Sequence, residues 1–192
     1  NGSMKFLTQS FDSLPPRERI LVAAHALFYR DGIRATGVDR IIEQSSVSKV
    51  TFYRQYASKD DLIRTYLDYR HGRWISWFQN NLSEKTAAGS SATEALVSTL
   101  KSWFMQPDFR GCAFLNAVAE FGSSDHGILE IVCRHKQEMS SVLNVFFSKG
   151  FVSVGHTLSL LIDGAIVHAQ MGRPIDEVVE NFKESVDAIV AR

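Results

Sequence analysis

The chain is short of cysteine, proline and long apolar runs, and each shortage removes a class of protein. Two cysteines in 192 residues, Cys112 and Cys133, are too few for a disulfide scaffold and fit a reducing, cytoplasmic setting. They lack CxxC spacing, and no histidine stands out as a partner for either. Cys112 reads as a buried thiol, with a redox role as the alternative. Only four prolines interrupt the chain, which favours helix. No stretch of about 18 apolar residues occurs, so no membrane-spanning helix and no membrane partner are expected. The opening Asn-Gly-Ser-Met has no apolar signal core; Asn1 to Ser3 read as a vector remnant, with Met4 as the native start. Absent too are the G-x-S-x-G elbow, the Walker loop and the dinucleotide glycine pattern, which argues against an enzyme and against a cofactor. His135 and Glu138 could share a helix face as metal ligands, but no third ligand is evident and no metal is expected.

What remains is a globular chain, 45% hydrophobic and 22% charged, long enough to build a real core. Its 21 basic and 21 acidic residues cancel, yet they are unevenly spread. Residues 1–73 hold 12 Lys+Arg against 8 Asp+Glu, and residues 74–192 hold 9 against 13. A basic front and an acidic back suit a DNA-contacting head on a body that faces something else.

Apolar periodicity predicts an all-α chain of about nine helices, with no strand pattern and no internal repeat. Residues 5–14 read as a loose arm. A helix then runs from Arg17 to Arg30, closed by Asp31-Gly32 with Gly32 as its left-handed cap. Thr36 is placed to cap a second helix that buries Val38, Ile41 and Ile42. Ser45-Ser46 makes a turn, and Ser48 caps a short third helix ending near Tyr56-Ala57. Ser58 and Asp61 form a capping box at the head of a long helix from Lys59 to Leu82. Residues 83–92 read as a connector. Further helices are predicted over Thr93 to Met105, Cys112 to Phe121, Ile128 to Lys149 (broken by Gly150), Val154 to Met171 and Ile175 to Val190.

The stretch from residue 36 to 62 carries the chemistry. Two short helices joined by a tight turn form a helix-turn-helix, whose second helix enters the major groove N-terminal end first. On a helix capped by Ser48, residues Lys49, Val50, Tyr53 and Arg54 share one side, while Phe52 and Tyr56 point to the core with Val47. Lys49 is suited to guanine edges, and Val50 or the Thr51 methyl to a thymine methyl. Arg54 and Gln55 can reach phosphate or base. Arg34 and Arg40 read as solvated charges. The order Gly32, Thr36, Val47-Ser48-Lys49-Val50-Thr51-Phe52-Tyr53-Arg54-Gln55-Tyr56, Ser58-Lys59 resembles the TetR/AcrR family of helix-turn-helix regulators over residues 17–67. Ser46 departs from the pattern, since many members place glycine there. The resemblance implies that Thr36, Tyr53 and Lys59 contact phosphates, with residues 15–60 forming the DNA-binding domain.

For residues 61–192 the resemblance implies a regulatory domain with a small-molecule pocket and a dimer interface on the last two long helices. Weaker signatures of one subgroup are Arg110-Gly111-Cys112-Ala113-Phe114-Leu115-Asn116-Ala117 with Glu120-Phe121, and Leu161-Ile162-Asp163-Gly164-Ala165. Candidate pocket walls are Trp74, Trp77, Phe78, Trp103, Phe104, Phe114 and Phe121, and candidate polar groups are Asn116, Glu120, His135 and His168. The same aromatic stripe would also serve an ordinary core. The helix from Val154 to Met171 is too apolar to stay uncovered. Leu161, Gly164, Ala165 and His168 on it, with Val179, Phe182 and Val186 on the next helix, are the expected dimer residues. The expected function is a ligand-responsive repressor that binds a palindromic operator as a homodimer and is released by an apolar or aromatic effector. The alternative is an activator or nucleoid protein with the same head and no ligand control.

Overall fold

The computed structural model describes residues 11–147 and 154–191. The described residues form nine α-helices and two short 3-10 turns, with no strand. The helices are α1 (Pro16–Asp31), α2 (Val38–Ser45), α3 (Lys49–Gln55), α4 (Lys59–Ala87), α5 (Ala92–Phe104), α6 (Ala113–Phe121), α7 (His126–Phe147), α8 (Gly155–Gln170) and α9 (Ile175–Val190). The first residues of the expected arm, Lys149 and the break at Gly150 lie outside the described residues.

Two compact units emerge. The first holds residues 11–72 and 113–132, and the second holds residues 73–112 together with the described residues from 133 onward. The boundary falls inside α4 and inside α7, and α6 belongs with the first unit.

In the first unit α1 packs on α2 and α3. Ile20, Ala24, Leu27 and Phe28 recur at helical spacing on α1 and are buried with Ile41, Phe52, Leu62 and Leu67. Pro16 opens α1, where its missing N–H costs nothing. Gly32 closes it at φ 93°, its amide donating to the Phe28 carbonyl at 3.1 Å.

In the second unit α5 and α8 pack against α9. Leu96, Leu100 and Trp103 of α5, Leu158 and Ile162 of α8, and Val178, Phe182 and Val186 of α9 are buried. At the start of α8, Gly155 is a matter of space: a Cβ there would lie 2.1 Å from the Ser140 carbonyl oxygen. The Gly155 amide donates instead to Asn144 Oδ1 at 2.7 Å.

Several boundaries differ from those predicted. The connector 83–92 shrinks, because α4 continues to Ala87 through helix-compatible Glu84, Lys85 and Ala87, and Thr86 Oγ1 bonds back to the Leu82 carbonyl at 2.8 Å. The next helix begins at Ala92, not Thr93, because Ser91 and Glu94 form a reciprocal capping box. The α2 cap is Gly37, which makes no side-chain bond, while Thr36 lies one residue outside the helix. His135 is buried and Glu138 exposed, and no cluster able to hold a metal occurs among the described residues.

Asp125 anchors the start of α7. Its carboxylate accepts from the Ile128 amide at 3.1 Å and pairs with Arg64 at 3.2 Å. The Ile128 bond holds it below the ordinary value of 3.8, with Arg64 helping and partial desolvation opposing. A carboxylate whose folded value is depressed stabilises the fold above its unfolded value, and that contribution is lost as pH falls through the folded one. Asp31, Glu94 and Asp187 are lowered as well. Stability should therefore decline below about pH 4. Asp125→Ala should lose about 1 kcal/mol at pH 7, the usual worth of a helix cap, and a smaller amount at pH 3. Urea titrations at both pH values check this; an equal loss at the two would contradict it.

Candidate nucleic-acid interface

The sequence of α3, KVTFYRQ, is a poor helix by propensity, with Val, Thr, Phe and Tyr each about 0.5 kcal/mol worse than Ala. Seven residues are also too few to nucleate alone. Local and tertiary bonds hold it. Ser48 Oγ accepts from the Thr51 amide at 3.1 Å and lies 2.9 Å from Thr51 Oγ1. Phe52 and Tyr56 are buried at 0% and 2% exposure. Val47, expected in the core, is only half-buried.

Two arginines in the first turn of α1 complete the hold, and sequence reasoning missed both. Arg17 donates to the Gln55 carbonyl at 2.5 Å and stacks on the Tyr56 ring at 4.4 Å. The Tyr56 hydroxyl donates to the Arg17 carbonyl at 3.2 Å. Burial pushes the Tyr56 phenol above its ordinary value of 10.0, against the pull of Arg17. Arg19 donates to the Ser46 carbonyl at 3.3 Å. The available signal was electrostatic: two cations at a helix N-terminus oppose the helix dipole, so they gain by reaching a carbonyl elsewhere.

With that inner face fixed, the outer face of α3 is bare. Val50 is 71% and Tyr53 47% exposed, and Lys49 and Arg54 are exposed beside them. Lys49 has only a loose, solvated pairing with Asp39 at 3.6 Å. An apolar residue, a phenol and two cations on one short helix form a surface suited to base edges and phosphates. Thr51 and Gln55 are half-buried at its edges.

Two expected phosphate ligands are otherwise engaged. Thr36 is fully buried, its hydroxyl donating to the Gly32 carbonyl at 2.7 Å. The Lys59 ammonium donates to the Ile33 carbonyl at 2.7 Å and lies 5.9 Å from the Phe28 ring centre. Partial burial lowers its pKa, with Glu120 and Asp60 opposing that shift. Both side chains tie the α1–α2 turn from within. Arg40, expected to be solvated, pairs with Asp31 at 2.9 Å.

The turn between α2 and α3 takes the left-handed conformation at Ser46, φ 52°, ψ 44°, with no other non-glycine residue at positive φ among the described residues.

This arrangement, a helix-turn-helix docked on a preceding helix, coincides with a known family. The model for bacterial regulatory proteins of the tetR family matches residues 20–66. A TetR-family transcriptional regulator of Streptomyces coelicolor superposes with TM-score 0.74 at 28% identity, covering 92% of this chain and 94% of its own. Residues 20–66 thus match a tetR-family DNA-binding segment. The proteins the chain is similar to over most of its length are described as transcriptional regulators. The reduced form of Escherichia coli NemR shares the fold at TM-score 0.78 and 18% identity, over 91% of this chain and 97% of that one. In sequence it is similar to an uncharacterized HTH-type regulator of Lactococcus lactis, 21% identical over 86% of this chain and 89% of the relative. No helix among the described residues is long and apolar enough to cross a membrane.

The candidate pocket residues fall into separate places. Trp74 stacks on Phe78 at 4.7 Å and meets Trp103 at 5.5 Å, His135 at 5.1 Å and Trp77 at 6.2 Å. Phe104 continues the cluster beside Trp103 at 5.8 Å. Phe114, Asn116, Glu120 and Phe121 lie on α6, in the other unit. Glu120 is engaged by the Ile33 and Arg34 amides, and Phe121 lies under Arg34 at 5.3 Å. His168 is exposed on α8 and lines a groove of about 440 Å³ with Leu161, Gly164, Ala165 and Phe182. Val179 and Val186, expected at the dimer interface, are buried on α9.

The strain at Ser46 gives a prediction. Ser46→Gly should raise stability by roughly 0.5–1 kcal/mol, the left-handed cost outweighing the added freedom of the unfolded chain. Ser46→Val should lower it by about 1 kcal/mol or more. Thermal unfolding of the two variants checks the sign; a Gly variant less stable than the Ser parent would contradict the strain.

Proposed function

We propose that this regulator is a ligand-responsive repressor that acts in the cytoplasm, binding a two-fold operator as a homodimer. Residues 15–60 read DNA, and residues 61–192 sense an effector and dimerise. The observation that carries the reading is the bare outer face of α3. There Lys49 and Val50 are the base readers, and Tyr53 with Arg54 the phosphate anchors; Ser48, Thr51 and Gln55 sit at the edge.

Dimerisation is supported by α8. Leu160 at 74% exposure, with Val167 and Met171 also exposed, makes an apolar stripe interrupted by Gly164, where a Cβ would meet nothing within 4 Å. Such a patch is what a helix-on-helix interface covers, and a two-fold dimer presents two heads to successive major grooves.

Ligand response is supported by the aromatic cluster of the second unit. Trp74 Nε1 and Thr99 Oγ1 are buried without a hydrogen-bond partner. Thr99 lies one turn before Trp103, which meets Trp74. Buried donors are normally satisfied, so an effector with an apolar body and an acceptor oxygen fits this place. Ligand and DNA would then select different conformations, with α4 as the continuous element that runs from Trp74 and Trp77 back toward the head.

Selection from a random duplex library, followed by anisotropy on the enriched site, tests the DNA reading. Tyr53→Ala should weaken binding to all duplexes by similar factors. Lys49→Ala should relax preference at one base pair, worth about 1–3 kcal/mol. If neither variant changes affinity, α3 is not the reader. For the dimer, the parent should sediment as a dimer at micromolar concentration and Leu160→Glu as a monomer; a monomeric parent would rule the interface out.

A further inference from the structure

The turn between α1 and α2 is held from both sides by charged groups distant in sequence. The Ile33 amide donates to Glu120 Oε1 at 3.0 Å, and the Arg34 amide donates to Glu120 Oε2 at 2.6 Å. On the other side of the same residue, the Ile33 carbonyl accepts from Lys59 Nζ at 2.7 Å. Two successive amides turned toward one point form a cradle for an anion, and here the anion is the chain's own carboxylate, from α6. Gly32 sits at φ 93°, and a Cβ there would lie 3.4 Å from Glu120 Oε1, so the cradle is fitted closely around the carboxylate. Arg34 lies 5.3 Å over the ring of Phe121, the residue after Glu120. The last turn of α6 is thus bound to this turn by a two-point bond and a ring contact.

The turn governs the placement of the reading helices. Thr36 bonds back to Gly32 through its hydroxyl at 2.7 Å, and its amide donates to the Ile33 carbonyl at 3.3 Å. Residues 32–36 therefore form one bonded loop, and α2 starts two residues later at Val38. Then α2 leads through the strained Ser46 into α3. An apolar contact could hold α6 in place and would slide under load. A bidentate carboxylate on two main-chain amides is directional: it is made at one position of α6 and lost when the helix end moves by about an ångström.

We propose that Glu120 is the positioning residue that couples α6 to the DNA-reading helices. With its carboxylate on the Ile33 and Arg34 amides, the α2–α3 pair is held in the arrangement that meets DNA; displacement of α6 releases the turn and lowers DNA affinity. The proposal rests on the DNA reading above and adds to it the place where regulation acts.

The test uses the full chain and the duplex that the parent enriches from a random library. Anisotropy at one salt concentration gives the affinity of parent, Glu120→Gln and Glu120→Ala. Titration at saturating duplex gives the active fraction of each. A purely structural role would reduce the active fraction or the melting temperature and leave the affinity of the folded molecules unchanged. A positioning role should weaken that affinity by roughly tenfold in Glu120→Ala, the scale of a lost charge-assisted bond, with Glu120→Gln in between. In the free parent, the Ile33 and Arg34 amides should be protected from hydrogen exchange, and Glu120→Gln should shift the α3 amide resonances. Glu120→Ala binding within twofold of the parent would overturn the proposal. If that variant fails to fold, Glu120→Gln decides by the same criterion. A parent that enriches no duplex would fail the DNA reading and the latch together, whereas a parent that binds with indifferent variants overturns the latch alone.

Discussion

A helix of seven residues does not form by itself in water. Its nucleation cost exceeds what its few hydrogen bonds return, and the residues of α3 add about 2 kcal/mol of unfavourable propensity across four positions. Its existence therefore depends on what holds its inner face. Burial of Phe52 and Tyr56, worth on the order of 2 kcal/mol each, the Ser48 cap at about 1 kcal/mol and the Arg17 bond to its last carbonyl act against that deficit. The same dependence divides the helix into two faces. Every group that fixes α3 lies inward or at its ends, which leaves Lys49, Val50, Tyr53 and Arg54 exposed.

From this follows the role of the segments around it. The first turn of α1 holds α3 and the turn before it through Arg17 and Arg19. The turn before α2 is held by Lys59 from α4 and Glu120 from α6. Helix α3 is thus the end of a chain of directional bonds that begins on helices remote in sequence. Such a chain is rigid while its links are made and yields at whichever link is displaced. On the proposed reading, such a chain lets the head respond to events elsewhere without any effector touching α3.

Much of this was legible in the sequence, for identifiable reasons. Helical periodicity and the capping signals at Gly32 and Ser48 gave the order of helices, and the run from Val47 to Tyr56 carried the family resemblance. The special place of Ser46 was visible as a departure from glycine, and its left-handed backbone explains why glycine is the usual choice. What could not be read were side chains whose partners lie far away. Lys59 looks like a surface lysine at a helix start, and only the fold turns it onto the Ile33 carbonyl. Glu120 looks like a polar group on an aromatic helix, and its amide partners are more than 80 residues earlier in the chain. Thr36 reads in the sequence as the cap of α2, and a shift of one residue puts it inside the turn instead. Ser91 and Glu94 are different: their S-x-x-E spacing was readable, but small polar neighbours disguised it as a connector.

The central claim is that the outer face of α3, held in place before DNA arrives, is what reads the sequence. Amide chemical-shift mapping of the labelled protein, free and with its enriched duplex, tests this most directly. The account predicts that Lys49, Val50 and Tyr53 give the largest shifts and that buried Phe52 is already protected in the free protein. Shifts concentrated elsewhere, with α3 unperturbed or unfolded until DNA is added, would contradict it.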